Sequence, residues 1–327
     1  MAAEQIGPAA SDAAWGASHH AGGTDGPVDI GEALRRSDVL AALDEIDREL
    51  VGLEQVKARI RDIAAFALVA LLRHSAGLTG ATPTLHMCFT GRPGTGKTTV
   101  ALRMARVLKR LGYLSQGHLV VATRADLIGR YVGHTAPKTR DVLGKATGGV
   151  LFVDEAYHLY RPGNERDYGL EAIEMLLEAM ENRRAELVVI LAGYKEKMRG
   201  LFAGNPGLHS RIAYHIDFPD YTLAELTQIA DLMLSQQMYR WDSEARSAFR
   251  EYLRPLLCGP DFANGRTVRN AIDRIKLCQA WRLVRQGGRV GKQELMRIDA
   301  ADIRQSRIRE EQVGEQENLD RIPEKTT

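Results

Sequence analysis

The spacing of apolar residues changes along this chain, and the changes mark its parts. From Ile30 to about Ser75 apolar positions recur at helical intervals, and Leu50-Val51-Gly52-Leu53 interrupts them with a glycine suited to a bend between two helices. Short apolar runs of strand length then appear at Leu85–Thr90, His118–Ala122, Val150–Val153, Leu187–Ala192 and Tyr214–Phe218, separated mainly by helical patterns. Strands that are apolar on consecutive residues are buried on both faces. The pattern therefore predicts an α/β fold with a mostly parallel five-stranded sheet flanked by helices.

After Pro219 the strand runs stop. Leu226, Ile229, Ala230 and Met233 follow one helical stripe, and Val268, Ala271, Ile272 and Ile275 follow another, so a small all-α domain is expected over 220–309. The α/β domain with its leading helices is expected over 31–219. The first thirty residues hold eight Ala and five Gly without apolar periodicity, which predicts a disordered extension over 1–30; His19 and His20 in it lack further metal-ligand neighbours. A Glu- and Gln-rich stretch predicts a flexible tail over 310–327.

Composition narrows the function classes. A length of 327 residues accommodates about two domains at roughly 150 residues each. Lys and Arg total 44 against 42 Asp and Glu, so no global charge favours a polyanion and no nucleic-acid partner is expected. Cys88, Cys258 and Cys278 are widely spaced and odd in number, which suits a reducing compartment rather than a disulfide framework or a CxxC metal site. The longest apolar run, Ala64–Leu72, is too short to span a bilayer, and no signal peptide opens the chain. A cytosolic location without membrane association is the expectation.

Gly91-Arg92-Pro93-Gly94-Thr95-Gly96-Lys97-Thr98 matches GxxxxGK[ST] between an expected strand and an expected helix, Thr99–Leu111. Glycines allow successive backbone N–H groups to curl around phosphate oxygens, and the helix start adds its positive dipole end. Lys97 is expected on the β and γ phosphates of a bound nucleotide, and the Thr98 hydroxyl on Mg²⁺. Arg92, within the same loop, either contacts a phosphate or faces solvent. The strand Val150–Val153 ends in Asp154-Glu155, where strands deliver residues to a ligand crevice. Asp154 is expected to steer the Mg²⁺ shell and Glu155 to act as general base on the attacking water. In isolation such a pair also fits a solvated strand end, and the phosphate loop leaves kinase, GTPase and mechanical ATPase open.

Together these residues resemble the AAA+ ATPases over about Leu50–Leu283, and in particular the red-type Rubisco activases, the CbbX-type proteins, within a group that also includes sporulation-type AAA+ proteins. The stretches TPTLHMCFTGRPGTGKTTVALRMA, GHLVVATRADLIGRYVGHTAPKT, GGVLFVDEAYHLYRPGNERDYG, LVVILAGY, NPGLHSRIAYHIDFPDY and FANGRTVRNAIDR carry the likeness. It implies that Val51-Gly52 contacts adenine, that Tyr131-Val132-Gly133 forms a pore loop gripping an extended client, and that Arg211 is an arginine finger reaching a neighbour's γ-phosphate. Arg266, with Arg269 as the alternative, is implied as the lid's phosphate sensor. In one respect the chain departs from the family: Gly193-Tyr194 stands where most AAA+ proteins carry a polar sensor, often Asn, and Asn205 is a substitute that the sequence does not favour.

The resemblance further implies a homohexamer acting on form I red-type Rubisco in a bacterial cytosol or a plastid stroma. It would pull the C-terminal tail of the Rubisco large subunit to release sugar phosphates such as ribulose 1,5-bisphosphate, which would also act on the motor as an allosteric ligand. A remodeller with another client, a nucleotide-dependent scaffold with little turnover and, more weakly, a small-molecule kinase remain as rivals.

Overall fold

A computed structural model of the chain describes residues 29–78, 82–161 and 168–308. The expected extension, apart from Asp29 and Ile30, and the expected tail lie outside the described residues. Among the described residues, one compact unit runs to Arg92 and from Gly96 to Pro219, and the other comprises Pro93–Thr95 and everything from Asp220.

The first unit begins with three helices, α1 (Ile30–Ser37), α2 (Val39–Glu49) and α3 (Glu54–Ser75). Asp29 caps α1 by accepting the Glu32 N–H at 3.0 Å. The sequence pattern predicts only the bend at Leu50–Leu53, where Gly52 and Leu53 adopt φ of 59° and 57°. A second break falls at Asp38, also left-handed at φ 52°, which ends α1 and starts α2 within a stretch of unbroken apolar periodicity. An aspartate tolerates this conformation better than most side chains, and its signal is local rather than periodic.

The core alternates β1 (Met87–Gly91), α4 (Lys97–Arg110), β2 (Leu119–Ala122), α5 (Arg124–Leu127), α6 (Thr135–Ala146) and β3 (Val150–Val153). It continues through a 3₁₀ turn, Ala156–Leu159, to α7 (Gly169–Asn182), β4 (Val188–Gly193), α8 (Lys195–Gly204), α9 (Pro206–Arg211) and β5 (Tyr214–Phe218). The five strands lie in the order β2-β3-β4-β1-β5, all paired in parallel. Central β3 and β4 are buried at every position, whereas the edge strands carry exposed residues: β5 is mixed in sequence, while β2 is apolar throughout yet leaves Val121 exposed, because an edge strand is covered less completely than its apolar run predicts.

Helix α2 is fastened to α4 by charge as well as packing. Glu45 accepts from Arg103 and Arg106 at 3.2 Å each, while Arg110 lies 3.3 Å from Asp38. His86, just ahead of β1, is fully buried and clamps two further elements: its Nδ1 accepts the Val189 N–H at 3.0 Å, so Nε2 holds the proton and donates to Met180 O at 2.9 Å.

The second unit contains α10 (Leu223–Gln236), β6 (Arg240–Trp241), α11 (Ser243–Leu256), α12 (Gly265–Gln286), α13 (Lys292–Met296), β7 (Arg297–Ile298) and helical residues 300–308. Thr222 and Glu225 form a capping box on α10. Of the expected stripes, Val268, Ala271, Ile272 and Ile275 are all buried, as are Leu226 and Ala230, while Ile229 and Met233 are half-buried. The helical lid carries one small addition, the two-residue parallel pair β6–β7, which is too short to show a strand period. Arg282 on α12 ties Glu294 of α13 at 2.7 Å to Asp302 at 3.0 Å. Among the described residues no helix is long and apolar enough to cross a membrane.

Burial holds the His86 imidazole down at about 4 against its ordinary 6.5. The unfolded imidazole binds its proton more readily, so the stability from this site is complete above about pH 6.5 and is lost as pH falls toward 4. Urea unfolding is expected to show a loss of about 2 kcal/mol from this group between pH 7.5 and 5. His86→Gln should flatten the profile in that window.

Candidate functional site

Parallel pairing sends the C-terminal ends of β1, β3 and β4 to one edge of the sheet. Val153 of β3 aligns with Leu191 of β4, and Thr90 of β1 aligns with Gly193 of β4. The loop after β1 and the carboxylates after β3 are therefore two strand spacings apart, roughly 10 Å.

The loop after β1 bends through glycines that no other residue could replace without strain. Gly91, Gly94 and Gly96 have φ of 152°, 73° and 94°. A Cβ on Gly91 would lie 2.4 Å from Phe218 O, and one on Gly94 2.0 Å from Ala263 O. Lys97 opens α4, and its Nζ donates back to Gly91 O at 2.9 Å and Arg92 O at 2.7 Å. Thr98 is exposed beside it, and Arg92 is half-buried.

Within the second unit, Pro93–Thr95 is knit to the start of the lid. Gly265 N–H donates to Gly94 O at 3.0 Å and the Tyr221 hydroxyl to Thr95 O at 3.2 Å. Buried Asn264 accepts the Tyr221 N–H at 2.9 Å through Oδ1, while its Nδ2 donates to Asp220 at 2.7 Å. Burial first, then Glu225, pushes the Tyr221 hydroxyl up to about 12, so it remains a donor. Arg266, in the first turn of α12, and Arg269, three residues further on, are both exposed, and the Arg266 main chain adjoins Gly94.

Beyond β3, Asp154 is half-buried and accepts the Glu155 N–H at 3.0 Å. Glu155 is exposed and left-handed at φ 49°, a conformation sparsely populated by residues other than glycine and concentrated at functional sites. Its Oε1 accepts the Tyr157 hydroxyl at 3.2 Å, and its Oε2 lies 3.8 Å from His158 Nε2. Thr123, Arg124, Ile128, Asp154, Glu155 and His158 line part of a cavity of about 410 Å³ in this unit.

The departure at Gly193-Tyr194 has a steric basis. A Cβ on Gly193 would meet the Tyr157 ring at 2.7 Å and Met198 Sδ at 2.9 Å. Tyr194 turns its ring to Tyr157 at 6.2 Å, and the Lys197 ammonium stands 4.7 Å and 5.1 Å from the two ring centres. Asn205 is buried, and its Nδ2 donates to Leu201 O at 2.9 Å. Sequence reasoning missed Tyr157, Lys197 and His158; the signal for Tyr157 was its spacing two residues after Glu155.

Tyr131 and Val132 are 69% and 78% exposed, the conspicuous apolar projections of this unit, and Gly133 has φ 78° with open space around it. The base of the loop is stitched by Thr135, which accepts the Gly129 N–H at 3.1 Å, and by Thr139, which donates to Leu127 O at 2.9 Å. Arg211, at the end of α9, is one-third exposed and its Nε lies 3.3 Å from Glu181 Oε2. Val51 and Gly52 are half-buried in the turn between α2 and α3.

Residues 87–219 match the family described as "ATPase family associated with various cellular activities (AAA)", and residues 222–313 match the AAA lid domain. The fold resembles the FIGL-1 AAA domain in complex with ADP, at a TM-score of 0.53 and 17% identity over 79% of this chain and 82% of that one. It resembles a mutant of Thermotoga maritima RuvB at a TM-score of 0.53 and 20% identity, covering 81% and 71%. This chain belongs to the AAA family of ATPases. It is 58% identical to the protein CbxX, chromosomal, of Cupriavidus necator, over 86% of this chain and 89% of that one. Identity is 55% with the protein CfxQ of Xanthobacter flavus, covering 87% and 90%. It is 54% with the chloroplastic ribulose bisphosphate carboxylase/oxygenase activase of Cyanidioschyzon merolae, covering 86% and 96%.

Removing the Tyr157 hydroxyl frees Glu155 on one side while leaving the ring over Gly193. Tyr157→Phe is expected to lower the turnover number for ATP about three- to tenfold, the range for one lost hydrogen bond, with little change in nucleotide affinity. Steady-state kinetics together with equilibrium nucleotide binding measures both.

Proposed function

We propose that this chain is an ATP-driven remodelling motor that reactivates red-type form I Rubisco. The observation that carries this reading is the 54% identity, over 86% of this chain and 96% of the other, to a protein named as a Rubisco activase. The loop geometry supports the nucleotide half: three glycines in backbone conformations open to them, an ammonium at a helix start, an exposed hydroxyl and a carboxylate suit a magnesium-bound triphosphate.

When bound, Mg²⁺ neutralises charge on the phosphate oxygens. Gly91 to Thr98 hold the triphosphate through backbone N–H groups, with Lys97 exchanging the Gly91 and Arg92 carbonyls for phosphate oxygens. Thr98 and Asp154 hold the metal. Glu155, oriented by Tyr157, takes a proton from the attacking water. Arg211 of one subunit stabilises charge at the nucleotide of the next, which makes a homohexamer the working form. Val51 and Gly52 flank adenine, and Arg266 reads the phosphate state from the lid, Arg269 being the alternative.

Tyr131 and Val132 grip the client, an extended segment such as the C-terminal tail of the large subunit, through apolar contact that is tolerant of sequence, and Gly133 lets the loop move. Pulling that tail opens the Rubisco site and releases a bound sugar phosphate. Ribulose 1,5-bisphosphate also acts as the motor's allosteric ligand. The setting is a bacterial cytosol or plastid stroma, without membrane or nucleic-acid partners.

The deciding experiment is reactivation of inhibited red-type Rubisco by the purified protein with ATP, with and without added ribulose 1,5-bisphosphate; a rival remodeller hydrolyses ATP but leaves this Rubisco inhibited. Glu155→Gln is expected to cut hydrolysis about a hundredfold or more while nucleotide still binds. A scaffold has no such activity to lose. Tyr131→Ala should retain ATP binding and lose reactivation, and full reactivation by this variant would remove the threading step. Lys97→Ala should bind ATP far more weakly in an equilibrium titration.

A further inference from the structure

Arg211 already has a partner within its own subunit. Its Nε lies 3.3 Å from Glu181 Oε2, and its Nη1 donates to Gly207 O at 3.4 Å. Glu181 stands in the last turn of α7, on a rigid base. The preceding residue, Met180, is buried, and its carbonyl accepts from the buried His86, which also receives the Val189 N–H of β4. The other carboxylate oxygen of Glu181 is 3.9 Å from Arg184. Helix α9, which carries Arg211, is seated by buried Leu208 and by Gly207, where a Cβ would meet Leu177 Cδ1 of α7 at 3.2 Å.

We propose that Glu181 is a latch for Arg211: it holds the guanidinium within the subunit, and a neighbouring subunit's bound triphosphate must outcompete it before the arginine engages. This rests on the reading of Arg211 as a finger acting between subunits. The exposure of the pair sets the strength of the latch. The Arg211 and Glu181 side chains are 33% and 54% exposed, so solvent screens their attraction and the pair can exchange. A deeply buried pair would strand a charge whenever the arginine left. One carboxylate carries a single charge, whereas a triphosphate carries several and offers multiple acceptors in the fork geometry that guanidinium favours. A diphosphate offers less, so the latch lets Arg211 respond more to ATP than to ADP next door.

The test mixes two variants in one assembly. Lys97→Ala subunits donate an arginine but lack a competent nucleotide loop, and Arg211→Ala subunits keep the loop but donate no arginine. Each alone should be nearly inactive, and mixing should restore hydrolysis at junctions of donor with acceptor. Glu181→Gln added to the donor should raise the mixed rate roughly two- to fivefold, the range for releasing a solvent-screened ion pair. The same change added to the acceptor should leave the rate unaltered, because there is no arginine for it to release. A merely structural role for Glu181 would act in both arms.

A second readout needs no turnover. In sedimentation velocity, Glu181→Gln in the otherwise unchanged chain should assemble at a several-fold lower protein concentration with a non-hydrolysable ATP analogue, and show a smaller shift with ADP. Equal effects in donor and acceptor, a slower donor, or no effect in either overturns the latch while leaving the finger intact. Failure of the two parents to complement removes the finger, and the latch with it.

Discussion

The parallel pairing of five strands is the constraint on which the rest depends. In an antiparallel sheet of this order, alternate strands would deliver their last residues to opposite edges, and Gly193 at the end of β4 would lie a strand's length from Gly91 and Asp154 rather than between them. Parallel strands need covered crossovers, and these supply α4, α6, α7 and α8 on the faces. Burial of every residue of β3 and β4 follows from that covering, and so does their continuous apolar sequence. One requirement therefore fixes the hydrophobic pattern, the layer architecture and the edge at which chemistry collects.

That requirement also explains how much was legible in the sequence. The five runs identified by apolar spacing match the five strands to within two residues at either end, most plainly at β3 and β4, because a strand buried on both faces is apolar along its length. The phosphate loop was legible because glycine is demanded by backbone conformation, as at Gly94 and Gly96. What was not legible depends on contacts between residues distant in sequence. Lys197 over the Tyr157 ring, Glu181 beside Arg211 and His86 between Met180 and Val189 leave no period and no spacing. The break at Asp38 and the pair β6–β7 escaped for the opposite reason, being shorter than any window in which a period can be counted.

Gly193 shows how a departure from a familiar pattern can become intelligible through packing. With the Tyr157 ring occupying the space where a Cβ would project, a branched or amide side chain at that position would displace the ring that orients Glu155. The polar function and the aromatic one compete for the same volume. This chain places an aromatic pair capped by an ammonium at the end of β4, and the Tyr157 hydroxyl of that pair donates to Glu155. Burial foremost, and the nearby Glu155 carboxylate next, hold that hydroxyl firmly protonated.

Two cations, Lys97 and Arg211, share one property: each is engaged by something weaker than a triphosphate. Lys97 donates to two carbonyl oxygens, which carry partial rather than full charge, and Arg211 pairs with a half-exposed carboxylate. A cation with no acceptor at all would fold back onto whatever polar group it could reach or pay the full desolvation penalty, and its position would not be defined. A cation locked in a buried pair would be positioned but unable to move. Acceptors of intermediate strength avoid both extremes: they hold the side chain in one place while a polyanion with several charges can still displace them. The same reasoning separates the two groups, because the carbonyls around Lys97 belong to the loop that a phosphate would enter, whereas Glu181 lies on α7, outside that loop, and can be altered without touching it.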